Sequence, residues 1–420
     1  MTKKILTSKI MIFILIVFAI YFPLTINMTK QTDRRTVVVA VGIDKNETDY
    51  TVSMQMIVPE ASTSFKENLQ VYSANGDNIL QTIENLSIHI GKITGLGNLS
   101  AIVFGKEMAK QGIVETLDFF VRSKRINDNP TIITTNAKAK TLLEKVALID
   151  NNFAYSVNSL AKLNKTSSNT GFSSVESFLS DYYSGTIAST VAQINQVADD
   201  NEGISTKSQD SSQTGGGSSS GATGATAGEE GQNQQQENNV LSNNGDTSIF
   251  VGGKEVAVFD AQQMRGFGIL TRESQRAVFT LKNVSDNFLN NAEIVMSLRS
   301  KFISREYTFK NGVPQVKNHV KLIVKIEQIR QENKDLDQMD GTYDYLTDEV
   351  KRLLKLQIVN QISESINLSK QYNADILKVQ DMFYKFKHDQ WNKYLKTLPD
   401  KTEAYKNIEF FTDIQVSGNL

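Results

Sequence analysis

The residues of this chain that could do chemistry are three histidines, a few acidic clusters and one glycine turn. His89, His319 and His388 lie far apart and show none of the spacings that put imidazoles around one metal ion. His388 stands among aromatic residues and reads as a helix-surface histidine. The chain has no cysteine, which removes disulfides, zinc–thiolate and iron–sulfur sites, and thiol nucleophiles. Asp199–Asp200 and Glu229–Glu230 fall in a low-complexity tract, where two carboxylates cannot hold the fixed separation that glycoside hydrolysis needs. Asp335, Asp337 and Asp340 echo a calcium loop, but the twelve-residue pattern with its closing glutamate is missing, so a turn before a helix explains them. Gly95–Leu96–Gly97 lacks the third glycine of a dinucleotide fingerprint and precedes a strand instead of following one. We read it as a turn. No serine or threonine has a histidine partner legible in the sequence. The expectation is a protein that is not an enzyme, with no cofactor and no metal.

The elements around these residues are easier to read. "RRTVVVAVGIDKNETDYTVSMQMIVP" is two strands of mainly β-branched residues joined at Asp44–Asp49. Ile79, Leu80, Ile83, Leu86 and Ile90 make a helical stripe. "LSAIVFG" is a short buried strand, "KEMAKQGIVETLDFFVRSK" returns to helical spacing, "PTIITTN" is a strand and "AKAKTLLEKVALI" a helix. A further helix lies near "SSVESFLSDYYS". Asn311–Gly312 between two extended runs is a strong hairpin signal. Val320, Leu322, Val324 and Ile326 line one face of the second run, with Lys321, Lys325 and Glu327 on the other. Thr347 is a predicted N-cap, with Asp348 and Glu349 placed where the helix dipole favours acid. Val350, Leu354, Ile358, Ile362 and Ile366 continue that helix. A second helix carries Ile376, Val379, Phe383 and Phe386 before Trp391, and "NIEFFTDIQVSG" closes the chain as a strand.

Between about Ala198 and Asp246 runs a Gly/Ser/Gln-rich tract without an aromatic residue. It has too little apolar surface to offset its ordering entropy, so it is expected to be disordered. Its flanks, "TIASTVAQINQV" and "SIFVGGKEVAVFDAQQMRGFGIL", both look like turn-punctuated strands. Closing a longer loop costs only slowly increasing entropy. We therefore read the tract as an insertion in a hairpin. The expected organisation is α+β: three mixed α/β domains with antiparallel and mixed sheets behind an N-terminal transmembrane helix. The boundaries are 1–35 for the anchor, 36–150 for the first domain, 151–285 for a middle domain carrying the insertion at about 198–246, and 286–420 for the last.

The anchor rests on the apolar run Ile10–Ile26, which carries no charge and follows Lys3, Lys4 and Lys9. Roughly 17 residues is the lower limit for a bilayer-spanning helix, and such preceding lysines keep an N-terminus cytoplasmic. "FPLTINMTK" offers no small-residue cleavage site, and no cysteine is present to carry a lipid. We expect an uncleaved signal anchor with the remainder outside the cytoplasm. Lys plus Arg number 45 against 46 acidic residues, so no global field would hold nucleic acid.

Taken together, these stretches resemble the Ger(x)C family, the C subunits of spore germinant receptors. "VVVAVGIDK" with "YTVSMQMIVP" resembles the family's opening hairpin. "LGNLSAIVFGKEMAKQGIVETLDFFVRSKRI", leading to Asp118, Phe119, Phe120 and Arg122, is similar to its most recognisable segment. "EVAVFDAQQMRGFGIL", with Val258, Phe259, Gly266 or Gly268 and Leu270, resembles a strand pair of the family. "ADILKVQDMFYKFKHDQWNKY", with Asp375 and Trp391, is similar to its C-terminal helix. The resemblance implies three α+β domains on the outer face of the spore inner membrane, acting with two integral-membrane receptor subunits of A and B type. Members usually carry a lipid-bearing cysteine where this chain has its hydrophobic run, so tethering is preserved by other means. The implied function is a non-catalytic receptor subunit that couples nutrient sensing to germination. The alternative is an envelope-anchored binding or assembly protein of another membrane complex. Phe119 and Phe120 are expected in the core, and Arg122 is the residue we single out as a partner contact.

Overall fold

The run Val37–Ile43 is apolar on both sides because the strand it forms lies inside a sheet covered on each face. Strand β1 (Arg35–Lys45) sends Val38, Val41 and Ile43 into one cluster and Val39 and Ala40 into another. That continuous apolar pattern is the signature of a central strand. The computed structural model describes residues 35–58, 68–122, 126, 129–144, 171–185, 187–196, 241–242, 245–272, 276–285, 289–331, 334–335 and 346–418, with positions 17, 157, 159 and 161. The anchor expected over 1–35 and most of the insertion expected over 198–246 lie outside these residues. Among the described residues, no helix is long and apolar enough to cross a membrane.

β1 turns at Asn46–Asp49 into β2 (Tyr50–Val58), its antiparallel partner, and β2 pairs in turn with β3 (Asn68–Gly76). β3 was not anticipated. It is a half-buried edge strand whose polar residues break the apolar alternation. Helix α1 (Ile79–Ile90) starts where Asn78 accepts the Gln81 N–H (2.9 Å) and stops at Gly91, which takes the left-handed conformation open to glycine. β4 (Ile93–Gly95) and β5 (Ala101–Phe104) both run parallel to β1. The helical stretch after β5 is two helices, not one. α2 (Lys106–Gln111) ends at Gly112, whose φ of 121° breaks the spiral, and α3 (Val114–Arg122) follows.

β6 (Thr131–Thr134) lies parallel to β5, with α4 (Ala139–Glu144) after it. β7 (Ser173–Ser174) leads into α5 (Val175–Ser184), and β8 (Ser189–Gln193) pairs parallel to β6. β9 (Asn195–Gln196) and β10 (Leu241–Ser242) pair antiparallel, and β11 (Thr247–Val251) pairs antiparallel with β8. The segments on either side of residues 197–240 are thus the two arms of one hairpin. β12 (Lys254–Phe259) completes a mixed sheet ordered β12-β11-β8-β6-β5-β1-β2-β3. The boundary expected at residue 150 falls inside this sheet, and among the described residues β8, β11 and β12 of the expected middle domain all belong to it. Distant strands join it because both of its faces can be buried, which sequence spacing alone does not reveal.

"AQQMRGFGIL" differs from the strand expected there. It is helix α6 (Ala261–Leu270), opened by a capping box in which Asp260 accepts the Gln263 N–H (2.8 Å) and Gln263 Oε1 accepts the Asp260 N–H (2.9 Å). Two glycines hid its helical period.

The second sheet holds β13 (Val278–Val284), β14 (Ala292–Lys310), β15 (Val313–Gln331) and β16 (Lys334–Asp335). The β14–β15 hairpin turns at Asn311 (φ 51°) and Gly312 (φ 80°), as expected of this dipeptide. Thr347 caps α7 (Asp348–Gln371), accepting the Val350 N–H (3.3 Å), and Val350, Leu354, Ile358, Ile362 and Ile366 are all buried. The second C-terminal helix is α8 (Val379–Phe386), followed by α9 (His388–Thr397). Phe383 stacks on Trp391 at 5.3 Å and 11° between them. β17 (Glu409–Gly418) returns parallel to β15. The apolar core under this sheet continues into Ala188, Ile249 and Phe259 of the first.

Candidate functional site

The residues singled out for chemistry remain apart. His89 lies in the last turn of α1, His319 on β15 at 3.8 Å from Glu306, and His388 at the start of α9, where Asn392 bonds it. Gly95 ends β4 and Gly97 stands in the following turn; Asp335 is in β16, and Asp337 and Asp340 lie outside the described residues. Among the described residues, no three His, Cys, Asp or Glu side chains converge as a metal site would require. An open hollow on the second sheet is lined by Phe302, Ser304, His319, Lys321, Asp413 and Gln415.

Phe120 is fully buried and Phe119 packs edge-on against it at 5.4 Å. Arg122, at the end of α3, has a side chain 77% exposed and pairs with Asp118 one turn earlier at 2.5 Å. The helix alternates core and surface here, so Arg122 faces solvent for the same reason that Phe120 does not.

A second group of residues, spread from 181 to 405, forms the junction between the two sheets. α6 presses against α7 at Gly266, where an added Cβ would stand 2.3 Å from Ser365 Oγ and 2.6 Å from the Gln361 carbonyl oxygen. Ser365 Oγ donates to the Gln263 carbonyl at 2.6 Å. Close packing therefore requires glycine at 266. The C-terminal carbonyls of α6 are met by two cations from β14. Lys301 Nζ donates to Gly268 O (2.6 Å) and to Ile269 O (3.4 Å), and Arg305 donates to Leu270 O. Positive charge at a helix C-terminus is favourable. Burial lowers the Lys301 pKa to about 8.

Next to this seam, Asp375 is buried in the loop between α7 and α8. Its carboxylate accepts the N–H groups of Val379 (2.9 Å) and Gln380 (2.8 Å), and its carbonyl accepts the Ala188 N–H (3.3 Å). Burial raises its pKa to about 7, against the pull of those N–H groups and of Arg305. Lys378, in the left-handed region at φ 58°, reaches Asp181 of α5 at 2.6 Å. Tyr405 and Ser369 share a hydrogen bond of 2.7 Å below, and burial raises the tyrosine's pKa.

Sequence reasoning pointed to Asp375 and Gly266 only through a family pattern, and missed Asp181, Lys301, Arg305 and Lys378. The D-x-x-Q capping box at Asp260 was the one local signal that could have exposed α6. α6 packs on α7, and the loop that follows α7 is joined to Ala188 by a hydrogen bond and to α5 by an ion pair, so the junction links the two sheets.

Comparison with known proteins divides the chain within the first sheet, between β8 and β11. Residues 29–196 match the family described as the spore germination protein N-terminal domain, and residues 245–418 match that described as spore germination B3/GerAC like, C-terminal. The crystal structure of the GerBC protein aligns over 90% of this chain and 97% of that one, at 12% identity and a TM-score of 0.47. No curated protein sequence matches.

Proposed function

This chain belongs to the GerAC, or Ger(x)C, family of spore germination proteins, and from that membership we propose that it is a non-catalytic C subunit of a nutrient germinant receptor. It serves receptor assembly or signal coupling at the outer face of the spore inner membrane. The observation that carries this reading is the pair of family matches, which together take in both sheets and leave out residues 197–244. The seam through Gly266, Asp375 and the Asp181–Lys378 pair supports it. A subunit that couples signals needs a body whose halves move together, so that a partner can shift its populations.

Tethering is assigned to the apolar run Ile10–Ile26, with Lys3, Lys4 and Lys9 holding the N-terminus inside. The partners are the two integral-membrane subunits of A and B type, and the exposed Arg122 is the contact we assign to them. Deleting the gene should abolish or slow nutrient-triggered germination and leave nutrient-independent germination and vegetative growth intact. Normal nutrient germination in a deletion strain without a paralogue would favour an envelope-anchored binding protein of another complex.

A further inference from the structure

One end of the first sheet carries exposed aliphatic side chains beside cations, and the chain enters the fold there from its apolar run. Arg35 opens β1 and is directly paired with Ile93 at the start of β4. Ile93 is 58% exposed, and Ile88, in the last turn of α1, is 79% exposed. The corner between them is rigid. Gly91 N–H bonds to Ile88 O and Lys92 N–H to Ser87 O, both at 3.2 Å, while Ser87 Oγ and Thr94 Oγ1 lie 3.0 Å apart. Ile88 and Ile93 are therefore presented by a built turn. His89 is exposed and Lys92 half-buried beside them.

The topology brings a second helix end to the same place. β5, β6 and β8 run parallel to β1, so the β11–β12 turn lies at the end where β1 begins, and α3 starts there: Ile113 N–H bonds to Gly253 O at 3.1 Å. That puts Ile113 and Val114, at the start of α3, on this end as well. α1 and α3 cover the same face of the sheet, since Ile83, Leu86, Leu117 and Phe120 share one core. Glu176, near Asn129, is an acidic residue at this end.

Only residues 27–34 separate the apolar run from Arg35. Eight residues span at most about 28 Å when fully extended. If Ile10–Ile26 crosses a bilayer, this end of the sheet is held within that distance of the lipid surface. Aliphatic side chains mixed with Lys, Arg and His are the composition that settles into an anionic headgroup layer.

We propose that the α1–β4 corner, through Ile88 and Ile93 with Lys92 alongside, seats on the anionic lipid surface of the membrane that the N-terminal run anchors. The inference rests on that anchor.

The absence of cysteine makes the test direct. Full-length protein carrying Ile88→Cys or Ile93→Cys, labelled with bimane, is reconstituted into vesicles of phosphatidylglycerol and phosphatidylcholine with brominated acyl chains. Val278→Cys, exposed on the second sheet, is the control. Bromolipid should quench the labels at 88 and 93 at least twofold more than the label at 278. Adding Lys92→Glu, or omitting phosphatidylglycerol, should reduce that difference. Equal quenching at all three positions overturns the proposal. Alkaline carbonate extraction of the same vesicles separates the two failures. Protein that stays with the lipid while positions 88 and 93 remain aqueous removes the docking surface alone. Protein released into solution removes the anchor and the docking surface with it.

Discussion

Lys378 Nζ stands 2.6 Å from Asp181 Oδ1, an ion pair between residues 197 positions apart that ties the loop before α8 to a helix of the first sheet. The two partners are not equivalent: the Asp181 side chain is 10% exposed and that of Lys378 is 44% exposed. Removing the lysine leaves a nearly buried carboxylate without its cation, whereas neutralising the aspartate leaves an ammonium that can turn to water. Lys378→Met should therefore cost more stability than Asp181→Asn. A double-mutant cycle should give a coupling of about 1 kcal/mol, the range for partly exposed pairs. Urea unfolding followed at Trp391, the single tryptophan and a buried one, measures both quantities.

Gly266→Ala should destabilise the protein by about 1–3 kcal/mol, the usual range for overpacking a close contact. The added Cβ meets a backbone oxygen, Gln361 O, as well as the Ser365 hydroxyl, so α6 and α7 must separate. Ser365→Ala in the same chain relieves only part of the clash. A Gly266→Ala variant as stable as the parent would show that the two helices slide apart freely.

Asp375 predicts a pH dependence. Its pKa is about 7 in the fold and near the ordinary carboxylate value when unfolded, so between about pH 4 and 7 the folded chain keeps a proton that the unfolded chain releases. Stability contributed by this group is greatest below pH 4 and falls as pH rises to 7, by about 1.4 kcal/mol per unit. Asp375→Asn removes that slope. The stability of the variant relative to the parent should climb from pH 4 to 7 and stay level above it. Parallel curves for the two proteins would mean that Asp375 ionises freely.

Replacing residues 200–240 with a short Gly/Ser turn should leave the thermal midpoint nearly unchanged. The arms on either side already pair, Gln196 with Leu241 and Ala192 with Thr247. Loop-closure entropy changes slowly with length. Calorimetry decides this: two separate transitions, in either protein, would make the segment a linker between independent units.

What the sequence determined by itself is everything whose cause lies within a few residues. Asn311–Gly312 makes a hairpin because both positions must take positive φ. Thr347 starts α7, and the stripe from Val350 to Ile366 turns one face inward because a helix repeats every 3.6 residues. The exposure of Arg122 beside the buried Phe120 follows from the same period. Local pattern failed at α6, where Gly266 and Gly268 looked like strand punctuation. The reason for Gly266 is Gln361, nearly a hundred residues away. Tertiary structure alone decided that β8, β11 and β12 extend the sheet of β1, that Lys301 and Arg305 meet the end of α6, and that burial raises the Asp375 pKa. It also put Ile88 and Ile93 at the end of the sheet where Arg35 begins. Strand order, burial and helix-end partners depend on which distant surfaces meet, and those meetings are set by the packing of the whole chain.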